Sequence, residues 1–581
     1  MQRFTRPLFG LNFARRLWRL TRLYWRSPDA VKGGLLLALA VALELGTVYG
    51  TFELADAQRR IYDALQDRVA SDFFAGVGLF AGIVLLFVLV STYRIYVRQA
   101  LEMRWRTWLT GHLVEQWISP HACCQMELLH GEADNPDQRI AEDARNYVAS
   151  ALGLSLSLLA AGATLVSFAG LLWTLSGDWP LRLGSTVFHV PGFMMWVAIV
   201  YALIASWITH RIGRRLVPIN FDRLRFEADF RFGLVRFREN AEAVGLADGE
   251  ERERLGARER FTRVISNWWD LIRAQRNLTL FTTGIGQLNS AVPLLVAAPG
   301  YFLGQLTLGR VAQTGIAYGQ VSGALVWVVN AYQEIAQWRA SIERLVTFMD
   351  AIESTRERVE RPGGVRVESG DGGALRLHDL HLDLPSGRAL LEGDDAAVAP
   401  GEHVVVVGPS GAGQTTLLRA IAGHWPFGHG RIEVPRGARS MFLSQQPYLP
   451  IATLRAAVSY PAPEGTFPDT RIREALQTFE LDELIARLDE TDHWEKRLSN
   501  GEQQRLAFAR VLLHEPDWIF LDDATGALDE ETEARLYAIL AERLPKASVV
   551  SIAHRPAVER YHTRRWTLVP HRDGPAVLRA A

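Results

Sequence analysis

Six long apolar runs constrain this chain more than any other feature: Gly33–Phe52, Phe73–Val90, Val148–Leu175, Phe193–Thr209, Leu278–Leu303 and Ile316–Gln333. A helix needs about 20 predominantly apolar residues to cross a bilayer, so the pattern predicts a six-span bundle over residues 31–340. The flanks orient it. Seven arginines and no acid lie between Arg3 and Arg26. The stretches after the second and fourth runs, YRIYVRQALEMRWRTW and THRIGRRLVPINFDRLRFEADFRF, are also rich in arginine. The other connections are short and carry few positive charges. By the positive-inside rule, both termini and the two long loops face the cytoplasm. Residues 1–30 read as a basic amphipathic helix on the membrane surface. A cleaved Arg-rich presequence is the alternative, but no small-residue cleavage signal accompanies it.

Polar groups inside the runs are informative because lipid penalises them. Glu44 lies in the first run, Gln287 and Asn289 in the fifth, and Gln320 and Asn330 in the sixth, with Glu334 at its end. Two readings are open for them: a water-filled substrate path, with Glu44 as a proton carrier, or hydrogen bonding between helices. The two cysteines, Cys123 and Cys124, are adjacent and cannot build a disulfide framework. His121 and His130 lie nearby, but the spacing fits no metal motif. A formal net charge of −1 points to no nucleic-acid partner.

After the runs, residues 341–363 read as a helix leaving the membrane and a linker closed by Pro362-Gly363-Gly364, with a soluble α/β domain over 364–581. HVVVVGPSGAGQTTLLRAIAG gives a strand, a glycine loop and a helix. Gly408, Ser410, Gly411 and Gly413 shape the loop, and the free N–H groups of the helix point at it, an arrangement that suits phosphate. Thr415 and Thr416 follow. Gln445 stands after a short strand, then LSNGEQQR with Ser499, Gly501 and Glu502. WIFLDDATGALD is an apolar strand ending in Asp522 and Asp523, with Asp529 beyond, and VVSIAHRP ends a further strand at His554.

These residues, in this order, resemble the nucleotide-binding domain of ABC transporters. LSNGEQQR looks like the signature motif, Gln445 the Q-loop residue, Asp522 the Walker B aspartate, Asp529 the D-loop residue and His554 the switch histidine. The resemblance implies ATP and Mg²⁺ as cofactors, with Thr415, Gln445 and Asp522 around the ion. It also implies a half-transporter that pairs with a second chain, expected as a homodimer, each nucleotide lying between the loop of one subunit and the signature of the other. In the membrane half, GEADNPDQRIAEDAR and EADFRFGLVRFRENAEAVGLADGEERE resemble the SbmA/BacA-like and YddA-like bacterial transporters, relatives of the peroxisomal fatty-acyl ABC half-transporters. The implied fold is an exporter-like α-helical bundle fused to an α/β P-loop domain. The implied location is a bacterial inner membrane, with the nucleotide-binding domain in the cytoplasm.

The chain departs from that pattern where chemistry is done. Gln414 stands in place of the lysine that contacts the β- and γ-phosphates. A charge-assisted hydrogen bond contributes about 1.5–3 kcal/mol against roughly 1 for a neutral one, so ATP affinity should fall about tenfold. Loss of one transition-state stabiliser costs about 10²–10³ in rate. Asp523 replaces the expected glutamate and withdraws the carboxylate by about 1.5 Å, one C–C bond. Gly526 replaces a serine, and Leu384 and Pro385 stand where an adenine-stacking aromatic is expected. Three functions follow: an ATP-driven transporter of a polar solute such as a peptide or cobalamin-like compound, with slow hydrolysis; a gradient-driven transporter with a regulatory or structural ATPase domain; or a receptor with an inactive one.

Overall fold

The computed structural model describes residues 11–119, 125–126, 128, 135–176, 178–183, 186–213, 215–359, 364–393, 395–553, 555–571 and 574–580. His554, His121, Cys123, Cys124 and His130 lie outside these residues. The chain divides into two compact units: Met1–Val114 with Pro136–Phe348, and Glu115–Asn135 with Met349–Ala581.

The first unit is helical. Five of its described helices are long and apolar enough to cross a membrane: Ala30–Asp67, Ala70–Trp117, Pro136–Ser176, Phe193–Gly213 and Glu250–Phe302. The sixth apolar run differs from the expectation of one span. It is divided between helices Leu308–Leu325 and Trp327–Val359, which meet at Val326. Gly315, Gly319 and Gly323, together with Ser322 and Gln320, dilute its apolar character and weaken it as a helix. At 1.5 Å per residue, helices of 48 and 53 residues reach roughly 70–80 Å, far beyond a hydrocarbon core of about 30 Å. They therefore continue well outside the lipid.

The N-terminal helix Leu11–Trp25 buries Phe13, Leu20 and Tyr24 and leaves Arg15, Arg16 and Arg22 exposed. Tyr24 stacks on Trp105 at 5.2 Å, and Thr21 Oγ1 lies 2.9 Å from Tyr147 Oη. Close approach of Tyr24 requires Gly33, because a Cβ there would stand 2.5 Å from the phenol oxygen. Asp29 accepts two hydrogen bonds from Arg104, both at 2.8 Å, and these hold its carboxyl below the usual range. In the NPDQRIAED segment, Asp143 is buried and accepts from Ser341, Arg139 and Arg344. Between the third and fourth apolar runs lies an antiparallel hairpin, Asp178–Leu183 with Thr186–Pro191, that the sequence did not suggest.

In the second unit, an eleven-stranded sheet carries the soluble core. Its parallel part runs Ser440–Leu443, Trp518–Asp522, Ser548–Ile552, His403–Val407, Arg564–His571. The three central strands, Trp518–Asp522, Ser548–Ile552 and His403–Val407, are buried almost throughout, as parallel strands covered on both faces must be. The remaining strands form a largely antiparallel layer, in which Leu375–Asp383 pairs with Ala389–Gly393 and with Gly428–Pro435. Residues of the Glu115–Asn135 segment dock on this unit: Gln125 Nε2 donates to the carbonyl of Gly423 at 3.2 Å, and Leu128 packs against its apolar core.

Candidate nucleotide site

The site forms where three parallel strands end together. His403–Val407 leads into the glycine loop, Trp518–Asp522 ends in the two acids, and Ser548–Ile552 lies between them in register. Ligands of open α/β sheets bind outside such carboxyl ends. Gly411 and Gly413 have φ of 86° and 98°, values that side chains disfavour. The loop therefore curls tightly, closed by the Ala412 N–H on the Pro409 carbonyl at 3.1 Å, and the helix Gln414–Ile421 starts directly from Gly413. No atom lies within 4 Å of a Cβ placed at Gly411, so the cradle is open. Ser410 is exposed and Thr416 half-buried beside it. These residues fit a polyphosphate.

Thr415 Oγ1 donates to Asp522 Oδ1 at 3.0 Å, which joins two positions 107 residues apart into one place for a hard cation. Gln445 Nε2 donates to Asp523 Oδ2 at 2.9 Å. Thr415, Asp522 and Gln445, the three expected Mg²⁺ residues, thus converge with Asp523. Gln414 is buried, and its Nε2 lies 3.4 Å from the carbonyl of Gly408, across the loop. Leu384, at the place of the absent aromatic, closes a tight turn through its N–H to the carbonyl of Arg388.

The signature segment is built as a helix start. Ser499 Oγ accepts from the N–H of Glu502, and Glu502 Oε2 accepts from the N–H of Ser499 at 2.8 Å, a reciprocal capping box opening the helix Asn500–His514. Gly501 is half-buried within its first turn. Asp529 caps the helix Glu530–Arg543 by accepting from the N–H of Thr532 at 2.9 Å, and this bond holds its carboxyl below the usual range.

Three residues that the motifs did not single out tie these parts together. Gln504 donates to the carbonyl of Gln445 at 3.0 Å and accepts from the N–H of Ala527 at 3.1 Å. Arg510, buried, donates to the carbonyls of Tyr448 and Ala457, and burial pushes its guanidinium down to about 10. Arg555 donates to the carbonyl of Leu528 and pairs with buried Glu533 at 3.4 Å. The second glutamine of GEQQR was the available signal for Gln504. The others act on backbone carbonyls and leave no local pattern.

The polar residues of the apolar runs are dispersed. Glu44 is buried, and its Oε1 accepts from Arg94 Nη1 at 2.8 Å. Asn289 Oδ1 accepts from Tyr318 Oη at 2.6 Å, between helices. Gln287, Asn330 and Glu334 are exposed and Gln320 half-buried.

Comparisons with known proteins agree with this geometry. The family described as "ABC transporter transmembrane region 2" matches residues 20–302, and "ABC transporter" matches residues 391–526. An uncharacterized ABC transporter ATP-binding protein of Synechocystis, sll0182, is 35% identical over 88% of this chain and 78% of its own length. The inner membrane ABC transporter ATP-binding protein YddA of Escherichia coli is 30% identical over 93% of this chain and 94% of its own length. The human lysosomal cobalamin transporter ABCD4 is 24% identical over 96% of this chain and 95% of its own length. A bacterial Atm1-family ABC exporter with ATP bound shares the fold, with a TM-score of 0.71 at 19% identity over 93% of this chain and 94% of that one. With relatives matched over most of their own length, this chain belongs to the ABC transporter family, as a half-transporter carrying one transmembrane region and one ATP-binding domain.

Proposed function

We propose that two copies of this chain move a polar solute across a bacterial inner membrane, powered by ATP at low turnover, with the nucleotide-binding domains in the cytoplasm. The observation that carries this reading is the assembled reaction corner, in which Asp523 rests on Gln445 and Thr415 on Asp522. Gly411, Gly413, Thr415 and the start of the Gln414 helix hold the phosphates. Thr415, Asp522 and Gln445 hold Mg²⁺, and Asp523 orients the attacking water. Ser499 and Gly501 meet the nucleotide of the second copy, with Asp529 following them in the chain. The bound nucleotide supplies the phosphoryl group whose transfer drives the cycle. Gln414 keeps a neutral donor at the phosphates but no charge, so binding weakens less than hydrolysis does.

Gln287, Gln320 and Asn330 give the bundle polar side chains for a hydrophilic solute. The name of the human lysosomal relative makes a cobalamin-like compound the first to try, and the SbmA/BacA-like resemblance adds peptides. A gradient-driven reading draws on Gln414, which rests on the Gly408 carbonyl, but its expected proton carrier, Glu44, is already paired with Arg94. The purified protein in liposomes decides between them. Uptake should require ATP and Mg²⁺ and persist without a proton gradient. Uptake that needs the gradient and ignores ATP overturns the reading.

A further inference from the structure

Outside the nucleotide site, three neighbouring strands carry a row of ligating side chains on one face. In register, His381 stands opposite His429 on one side and opposite Glu392 on the other. Directly opposed residues project to the same face of a sheet. The rings of His381 and His429 stack with centroids 4.2 Å apart and 10° between their planes. The ladder is irregular between His378 and His381, and Asp379 there has φ of 44°, which aspartate tolerates better than most residues. Its Oδ1 lies 3.1 Å from His381 Nε2. One donor atom from each of Asp379, His381 and His429 lies within 4.8 Å of the others. On the far side of the His381 ring, Glu392 Oε1 is 3.8 Å from Nδ1.

We propose that Asp379, His381 and His429 form a site for a borderline divalent transition metal, Zn²⁺ foremost, with Glu392 as the positioning residue. Two imidazoles and a carboxylate are a nitrogen-rich set that suits Zn²⁺, Cu²⁺ and Ni²⁺, whereas Mg²⁺ and Ca²⁺ take oxygen. The Mg²⁺ of the nucleotide site therefore does not compete. Tetrahedral zinc with bonds of about 2.0–2.1 Å places its donors about 3.4 Å apart. Closing from 4.8 Å takes side-chain rotation that opens the stack, so that the in-plane lone pairs of the two rings converge, and the Asp379 side chain, 83% exposed, has room to follow. Three protein donors leave the fourth position to water. With Nε2 given to the metal the ring proton sits on Nδ1, and Glu392 has to draw in from 3.8 Å to accept it, as carboxylates behind ligating histidines do. A simple surface pair of Asp379 with His381 does not account for the second carboxylate near the opposite nitrogen.

The test uses the whole chain in lipid nanodiscs, stripped with chelator and titrated calorimetrically with Zn²⁺. One site per chain should be lost in His381→Ala and in His429→Ala, and weakened about tenfold or more in Glu392→Gln. It should remain in Cys123→Ser/Cys124→Ser. Electron paramagnetic resonance of the Cu²⁺-loaded protein should show two coordinated imidazole nitrogens, reduced to one by either histidine change. Stoichiometry unchanged in both histidine variants, no binding of Zn²⁺ at micromolar concentration, or binding that vanishes with the cysteines overturns the proposal.

Discussion

The carboxylate of Asp523 fills the space that a side chain at Gly526 would need. A Cβ at Gly526 would stand 2.8 Å from Asp523 Oδ2 and 3.0 Å from Oδ1. Asp523 itself has φ of 49°, which bends the chain so that its short carboxylate turns inward to Gln445. The two positions are therefore coupled. Gly526→Ser should push Asp523 off Gln445 and lower single-turnover ATP hydrolysis about tenfold, the equivalent of roughly 1.4 kcal/mol of barrier, with nucleotide affinity unchanged. Wild-type hydrolysis in this variant would show that the two positions are independent.

Gln414→Lys places a positive charge at the glycine loop. Lysine at this buried position has the loop carbonyls as its alternative partners and the phosphates as its charged ones. ATP affinity should rise about tenfold and turnover by about 10², read by nucleotide titration and steady-state phosphate release. If neither changes, the loop does not hold the nucleotide as described.

Thr415→Ala removes the hydroxyl that Asp522 now holds at 3.0 Å. The Mg²⁺ concentration needed for half-maximal ATP binding should rise about tenfold, while metal-free binding stays the same. A loss of both together would place Thr415 in the fold rather than at the ion.

Glu44 and Arg94 form an ion pair inside the helical unit, with Glu44 side-chain exposure of 7%. Removing one partner of a buried pair leaves an uncompensated charge, which costs about 3–5 kcal/mol at full burial and less here because Arg94 is a third exposed. Glu44→Gln should lower the melting temperature, and Glu44→Gln/Arg94→Gln should recover part of it. A proton-carrying role instead predicts an unchanged melt and lost gradient dependence of transport.

His562 titrates in the soluble unit. Burial depresses its imidazole to about 4, with His403 adding to the effect, while it contacts the Val558 carbonyl and Ser551 Oγ. The unfolded group takes up its proton near 6.5. Stability is therefore full above pH 6.5 and falls as pH drops towards 4, by about 3 kcal/mol in all. His562→Gln should flatten the fall in melting temperature between pH 7 and pH 4.5, and an unchanged slope would assign it to other groups.

The sequence made the nucleotide corner legible because that corner is locally encoded. An apolar strand, a glycine loop and a helix follow one another without interruption, and the Asp522 strand announces itself by its run of buried residues. Long-range partners were not legible. Arg94 counted as one more positive charge flanking a span, yet it answers Glu44 50 residues away. Arg510 and Arg555 bind backbone carbonyls, which every residue possesses, so no motif marks them. The sixth run reads as a span by composition but is divided at Val326. The segment Glu115–Asn135 belongs by its contacts to the soluble unit although it lies between two apolar runs. Which residues face a solute depends on a neighbour's surface that no periodicity in this chain records.

The Arg555 guanidinium, just beyond the Ser548–Ile552 strand, clasps both the Leu528 carbonyl, next to Asp529, and Glu533 on the helix that Asp529 caps. A displacement at either end is thus handed to the other without passing through solvent.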